Sequence, residues 1–438
     1  MTNSICCPCI AVLATFFVSA CAGDRHSNVL AAADAALDSD AFDIIPADAA
    51  SQRDAPYIIP DTIAFPQPTG PFTIVRGQRR TLVDPSRDLE GNVLGADAGD
   101  HFGGNADAGS TRPLSVEIWY PSDTPGSGAT LPYMDSAEAA ATFQAAQHAA
   151  LPPTQLLLYS PDFANHVLTH SYAGLPFASS LTLAPVLLFS PGYNLQPRAY
   201  TAFIEEAVSW GYIVVAISHT LYTPVTTFAD GTTISMTHGM NDSDPPIPFT
   251  AGVWLADARF VLDELVKTAS SDPYGEIEGH VDLTEVGMFG QSFGGWTSLG
   301  MAATDDRVMA AMDFDGSSYG NWSAQSLSKP VFIFQEPGLN STLNNVFNQS
   351  AGIAFQAVLA NSLHINFSDI GIIAAAIQLD PSLWQTNLLG TIDPVRGVQE
   401  VNGYVHAFFD STLKGVPSPL LEGPTAQFPD VVNFSKKP

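Results

Sequence analysis

Residues Glu285–Trp296 read EVGMFGQSFGGW. This stretch reads as a short apolar strand, then a serine between glycines, then more glycine and the beginning of a helix. A nucleophilic serine on a sharp strand-to-helix turn needs small neighbours because the backbone there is strained, and Gly290, Gly294 and Gly295 supply them. A glycine-rich connection that happens to contain Ser292 explains the same letters, so the rest of the chain has to distinguish the two.

From Pro113 onward, apolar runs of strand length alternate with helical patterns. This alternation predicts an α/β fold with a mostly parallel central sheet and helices on both faces. One catalytic domain over residues 64–438 is the simplest organisation. The predicted strands are Leu114–Tyr120, Pro185–Ser190, Tyr212–Ser218, Glu285–Gly290, Val308–Phe314 and Pro330–Gln335, and the predicted helices are Arg198–Gly211 and Gly252–Lys267.

The predicted partners of Ser292 follow it in the chain. A serine hydroxyl becomes nucleophilic when an imidazole takes its proton and an acid fixes the imidazole tautomer. In α/β-hydrolases the chain order is Ser, acid, His, with each group at the end of a strand. Asp315 ends the strand Val308–Phe314 just before a glycine and is the predicted acid, with Asp313 as the alternative.

Two histidines follow Ser292. His364 lies in the polar segment NSLHINFSD, after the last predicted strand, where a loop can carry it over the serine; it is the predicted base. His406 lies at helical spacing among apolar residues and is expected to pack on a helix. His219, at the end of a strand but before the serine, has the wrong chain order and is predicted to be structural.

Acyl transfer also needs hydrogen-bond donors for the oxyanion, usually backbone N–H groups. Phe293, directly after the serine, is one candidate. Tyr193, in the loop after the strand Pro185–Ser190, is the other. A simple turn explains the preceding Pro-Gly pair equally well.

Together these residues resemble the plasma and bacterial platelet-activating-factor acetylhydrolase family of α/β-hydrolases, which cleave ester bonds. The similarity runs in order through GPFTIVRG, LSVEIWYPS, THSYAGLP, PVLLFSPGYN, WGYIVVAISH, GQSFGG, MDFDG and LHINFSD, roughly residues 65 to 415. It implies a nucleophile at Ser292, an acid at Asp315, a base at His364, and oxyanion amides at Tyr193 and Phe293.

The chain departs from this family at two places. Ser190-Pro191-Gly192 stands where the family usually has Ser-His-Gly, and Gln291 replaces a histidine common before the nucleophile. Ser190-Pro191-Gly192-Tyr193 is similar to the loop of polyester-cleaving relatives. In the same loop, Tyr193 stands where the family commonly has Leu. These departures bear on substrate preference, because Tyr193 and Gln291 flank the predicted acyl site.

Charge and composition exclude one class of partner. The chain of 438 residues carries 16 basic and 44 acidic residues, a net charge of -28. Such a surface repels phosphate backbones, so no nucleic-acid partner is expected. The proposed chemistry needs no metal or organic cofactor.

The N-terminus predicts export. All four cysteines lie within the first 21 residues, and Val18-Ser19-Ala20-Cys21 resembles a bacterial lipobox, although no basic residue precedes the apolar run. We expect a lipoprotein signal peptide over 1–20, lipidation at Cys21, and an acidic Ala/Asp-rich disordered tether over 21–63. The expected location is the bacterial cell envelope, as an outer-membrane lipoprotein with membrane contact through the anchor; ordinary secretion is the alternative.

The sequence therefore predicts a serine carboxylic-ester hydrolase, an esterase or lipase that acts on a small-molecule or lipid ester. A polyester-cleaving enzyme, a long-chain lipase and a peptidase share this fold and triad logic. A non-catalytic surface-binding protein on a hydrolase scaffold is the alternative from another class.

Overall fold

The computed structural model describes residues 60–94, 111–141, 163–238, 247–268, 275–317, 326–338, 340–378 and 388–438. The predicted signal peptide, Cys21 and nearly all of the tether lie outside these residues. The domain boundaries drawn from the sequence therefore stay predictions.

Within the described residues, eleven strands form one central sheet. Its order is β15-β14-β13-β12-β11-β7-β8-β4-β2-β6, with β3 paired to β4. The strands are β1 (Ile63–Ala64), β2 (Thr73–Arg76), β3 (Arg80–Asp88), β4 (Thr111–Ser122), β5 (Val167–Leu168), β6 (Ser171–Tyr172), β7 (Ala184–Ser190), β8 (Ile213–Ser218), β9 (Val225–Thr227), β10 (Thr233–Ser235), β11 (Val281–Gln291), β12 (Val308–Phe314), β13 (Val331–Gln335), β14 (Ala354–Leu359) and β15 (Val431–Lys437).

The middle of this sheet is parallel. Strands β8, β7, β11, β12, β13 and β14 pair in parallel one after another. Antiparallel pairs occur at the two sides, where β4 pairs with β8, β2 and β3, and where β15 pairs with β14. The carboxyl ends of the parallel strands consequently lie at one edge, where ligands bind in open α/β sheets.

Helices cover both faces of the sheet. They are α1 (Phe163–His166), α2 (Thr201–Ser209), α3 (Ile247–Thr268), α4 (Phe293–Thr304), α5 (Ser341–Gln349), α6 (Ile370–Ala376) and α7 (Pro394–Leu413), with 3-10 helices at Pro197–Tyr200, His364–Phe367 and Pro419–Glu422. Alternation along β11 sends Phe289 to a buried cluster with α2 and α7, and Met288 to a second cluster with α3 and α4. In the described part of the chain, we find no helix with the length and apolar character needed to cross a bilayer.

All six predicted strands are present, and the predicted mostly parallel α/β fold is confirmed. The predicted helix Arg198–Gly211 begins with the 3-10 turn Pro197–Tyr200 and continues as α2. Five strands of the central sheet were not predicted: β2, β3, β6, β14 and β15. Half-exposed positions interrupt the apolar pattern of β14, and β15 is an edge strand with mostly exposed or half-exposed side chains.

Candidate active site

Ser292 lies on a strained turn between β11 and α4. Its φ is 55° and its ψ is -119°, and it is the N-cap residue of α4. A positive φ is uncommon for a residue with a Cβ and costs about 1–3 kcal/mol. The surrounding sheet maintains this conformation, because the Ser292 N–H donates to the Phe314 carbonyl on β12 at 2.8 Å.

Two glycines allow the neighbouring loop to approach this turn. A Cβ at Gly290 or at Gly294 would overlap the carbonyl oxygen of Ser190, the last residue of β7. The backbone after β7 therefore packs directly against the serine turn. The glycine spacing of GQSFG is a packing requirement here as well as a conformational one.

Asp315 and His364 lie together next to this turn. His364 Nδ1 is 2.6 Å from Asp315 Oδ2, and their side chains are 12% and 3% exposed. Asp315 also has a positive φ, 55°, and its N–H donates to the Phe334 carbonyl on β13. A carboxylate at Nδ1 keeps the proton on that nitrogen, so the lone pair lies on Nε2.

The two alternative residues, Asp313 and His406, have other hydrogen-bond partners. Asp313 is fully buried within β12 and accepts a hydrogen bond from the Gly316 N–H, and burial raises its pKa well above the usual value. His406 lies on α7, stacks on Trp210 and is 2.8 Å from Asp410. The structure therefore brings Asp315 and His364 together, and it pairs neither alternative with them in this way.

Gln291 links the serine turn to the histidine. Its side chain is fully buried, and its Nε2 lies 3.1 Å from His364 Nε2 and 3.2 Å from the His364 carbonyl oxygen. His364 Nε2, the ring nitrogen away from Asp315, therefore lies against the residue that precedes Ser292.

The predicted oxyanion residues lie on two segments that meet at this turn. Phe293 begins α4, the end at which backbone N–H groups point out of a helix. The Tyr193 ring packs edge-on against Phe293 and parallel to Trp254. Its hydroxyl donates to the carbonyl of His238 at 3.1 Å. His238 therefore contacts the loop after β7 that carries Tyr193, named here the predicted oxyanion loop. Residues 239–246, which follow His238, lie outside the described chain.

A second serine, histidine and aspartate lie in a row beneath the loop. Ser190 Oγ is 3.0 Å from His219 Nε2, and His219 Nδ1 is 2.9 Å from Asp257 Oδ2. Arg112 binds both oxygens of Asp257, each at 2.7 Å. All four side chains are fully buried, so no ester carbonyl reaches Ser190, and the row supports the loop.

The electrostatics of this row agree with a structural role. Burial lowers the pKa of His219, which keeps it neutral. Burial opposes ionisation of Asp257, but Arg112 and Arg87 outweigh it and hold the pKa of Asp257 far below its usual range. Asp257 was not predicted, because a carboxylate in a helix pattern normally marks the solvated face.

Glu336 is another group that the sequence did not indicate. Its N–H donates to Asp315 Oδ1 at 3.0 Å, and its carboxylate accepts from the backbone N–H of His364. Burial, together with the charge of Asp315, raises the pKa of Glu336 to about 7. A second carboxyl group, that of Glu336, is therefore placed against the Asp315–His364 pair.

The chain is similar to known esterases. No protein-family model matches it. It is 28% identical over 267 residues to a probable 1-alkyl-2-acetylglycerophosphocholine esterase of Arthroderma benhamiae, and the match covers 57% of this chain. The match spans 65% of that relative, slightly less than two thirds of its length. This similarity to an acetylglycerophosphocholine esterase confirms the resemblance predicted from the sequence.

A solved structure extends the similarity. A ferulic acid esterase from Streptomyces cinnamoneus superposes with a TM-score of 0.68 at 27% identity, covering 84% of this chain and 98% of the esterase. The α/β-hydrolase fold predicted from the sequence is confirmed. Both similar proteins are esterases by name, the class that the sequence predicts.

The pKa of Glu336 predicts a pH-dependent stability. An acid with a usual pKa of 4.5 that titrates at about 7 in the fold binds its proton more tightly when folded. The contribution of Glu336 to the free energy of unfolding is therefore complete below pH 4.5, and it is lost as the pH rises to about 7. Relative to Glu336→Gln, the wild type should lose about 1–3 kcal/mol of unfolding free energy across that window.

Urea unfolding of both proteins at several pH values measures this difference. Glu422→Gln is the control, because the Glu422 side chain is 70% exposed, and its profile should follow the wild type. Parallel profiles for the wild type and Glu336→Gln would contradict the prediction.

Proposed function

We propose that the chain is a serine carboxylic-ester hydrolase with Ser292 as nucleophile, His364 as base and Asp315 as acid. The observation that carries this proposal is the 2.6 Å contact between His364 Nδ1 and Asp315 Oδ2 beside the strained Ser292 turn. The similarity to two proteins named as esterases supports the same reaction class.

The reaction follows from the roles of these groups. His364 Nε2 takes the Ser292 proton as Oγ attacks the ester carbonyl carbon, and the Tyr193 and Phe293 N–H groups bind the resulting oxyanion. The acyl–oxygen bond then breaks, and the alcohol leaves with the proton from His364. Water, deprotonated by His364, attacks the acyl-serine and releases the carboxylic acid.

The aromatic residues around the serine turn favour a compact acyl group. Phe293 and Trp254 are fully buried with ring centroids 4.8 Å apart, and the Tyr193 ring packs against both. These rings fill the space between the oxyanion loop and α4. The relative from A. benhamiae is named for an acetyl ester, which has such a compact acyl group, whereas the S. cinnamoneus enzyme is named for the larger ester of ferulic acid. We propose a small-molecule or lipid ester as substrate.

Two further parts of the proposal concern substrate and location. Pro191 and Gln291 depart from the acetylhydrolase pattern, and the SPGY loop keeps polyesters and long-chain lipids as alternative substrates. We also propose that Cys21 carries a lipid anchor in the bacterial envelope and that the acidic tether 21–63 separates it from the enzyme.

Ser292→Ala should abolish hydrolysis of p-nitrophenyl acetate, with a loss of at least about 10³-fold in kcat, because the acyl acceptor is removed. It should also abolish labelling by a fluorophosphonate probe, with thermal unfolding unchanged. Ser298→Ala is the matched control: this serine lies on the same helix and donates to the Gly294 carbonyl. Full activity of Ser292→Ala, or a wild type that does not react with the probe, would refute the proposal.

A pair of aspartate variants tests the acid. Asp315→Asn should lower kcat about 10⁴-fold, because the amide favours the wrong histidine tautomer. Asp313→Asn should keep activity within about tenfold, since burial already favours the neutral form of Asp313 and the new amide oxygen can still accept from Gly316. Equal losses in the two variants would contradict the assignment of Asp315.

A series of p-nitrophenyl esters of increasing chain length tests the acyl preference. The buried rings beside Ser292 predict the highest kcat/KM for acetyl and other short chains. A maximum at long chains, with activation on micellar substrate, would favour the long-chain lipase instead.

A further inference from the structure

Gln291 occupies a position in a hydrogen-bond chain that joins the oxyanion loop to His364. The Gly192 N–H donates to Tyr200 Oη at 3.0 Å, and Tyr200 Oη donates to Gln291 Oε1 at 2.8 Å. A side chain at Gly192 would overlap Gln291 Oε1, so the contact depends on glycine there. Tyr200 and Gln291 are both fully buried.

This chain fixes the orientation of the Gln291 amide. A backbone N–H can only donate, so Tyr200 Oη must accept from Gly192, and its one proton goes to an acceptor. That acceptor is the amide oxygen. The amide NH₂ of Gln291 therefore faces His364, where it meets Nε2 at 3.1 Å and the carbonyl oxygen at 3.2 Å.

The direction of this contact has a chemical consequence. Asp315 holds the His364 proton on Nδ1, so Nε2 carries the lone pair that accepts from Gln291. If Nε2 is protonated, two N–H donors face each other and that hydrogen bond is lost. The second bond, to the His364 carbonyl, does not depend on the imidazole charge. The Gln291 amide therefore favours the neutral imidazole, and its bond to the His364 carbonyl keeps it in position in both protonation states.

The charged groups around His364 act in the opposite direction. They include Asp315 after β12, Glu336 after β13, and Asp313 within β12, whose own pKa burial raises well above the usual value. Each of these favours the imidazolium when it is ionised, and so does the net charge of -28. Gln291 also contacts His364, but it is an uncharged hydrogen-bond donor and favours the neutral imidazole.

We infer that Gln291 is a positioning residue that holds His364 neutral, and thus ready as a base, at lower pH than the surrounding carboxylates alone would allow. The inference rests on the proposed function in one respect, since it takes His364 as the base. Tyr200 is the residue that orients the amide for this task.

Gln291→Met keeps the length of the side chain and removes the donor. A net hydrogen bond of about 0.5–1.5 kcal/mol corresponds to an upward shift of about 0.5–1 pH unit in the midpoint of the acid limb of kcat/KM. The same shift should appear in an NMR titration of the His364 imidazole. Glu336 is retained in the variant, so its own titration does not produce the difference.

Gln196→Met is the matched control. Gln196 is also a buried glutamine near the oxyanion loop, and its Nε2 donates to the Val225 carbonyl at 2.7 Å. Its replacement removes a comparable hydrogen bond and should leave the acid limb in place. A midpoint for Gln291→Met within 0.2 pH unit of the wild type, or lower, would overturn the inference. An equal shift in Gln196→Met would overturn it too.

Tyr200→Phe gives a second route if Gln291→Met does not fold. Without the phenol the amide loses its fixed orientation, so an upward shift supports the inference and an unchanged midpoint contradicts it. Because the NMR titration needs no turnover, a wild type that hydrolyses no ester would count against the proposed function alone.

Discussion

The positive φ of Ser292 is the constraint on which the rest of the site depends. The strained turn is stabilised because the Ser292 N–H donates to the Phe314 carbonyl on β12. Gly290 and Gly294 also allow the backbone after β7 to lie directly against the turn. This close packing brings the two predicted oxyanion segments together. Because the two backbone segments are in direct contact, a shift of the loop after β7 would disturb the Ser292 turn. The position of that loop therefore matters, and side-chain hydrogen bonds fix it.

Two buried rows of hydrogen bonds hold that loop, one at each side. Ser190 is bound by His219, and Asp257 and Arg112 continue that row into α3 and β4. Gly192 is bound by Tyr200, and that row continues through Gln291 to the histidine. The first row contains a buried ion pair, whose disruption leaves an uncompensated charge. The second is uncharged and ends at a group that changes protonation during the proposed reaction.

The sequence predicted the parts of the site that follow strand ends in a fixed order. Asp315 and His364 lie where the chain order of a hydrolase requires them, and the structure joins them. Asp257, Tyr200 and Glu336 could not be predicted in the same way, because their partners are distant in sequence and their own neighbourhoods read as an ordinary helix or turn. Glu336, for example, contacts Asp315 only because β12 and β13 are adjacent in the sheet.

The departure at Gln291 now has a physical meaning that the motif alone did not have. A histidine at this position would add a third titratable imidazole near His219 and His364, whereas a glutamine offers a donor whose charge does not change with pH. The orientation of that donor is not a free choice of the side chain, because Gly192 and Tyr200 determine it through the sequence of donors and acceptors. The predicted oxyanion loop and the proposed base are therefore linked through one amide. A change that breaks the bond between Gly192 and Tyr200 removes part of the constraint on which atom of Gln291 faces His364.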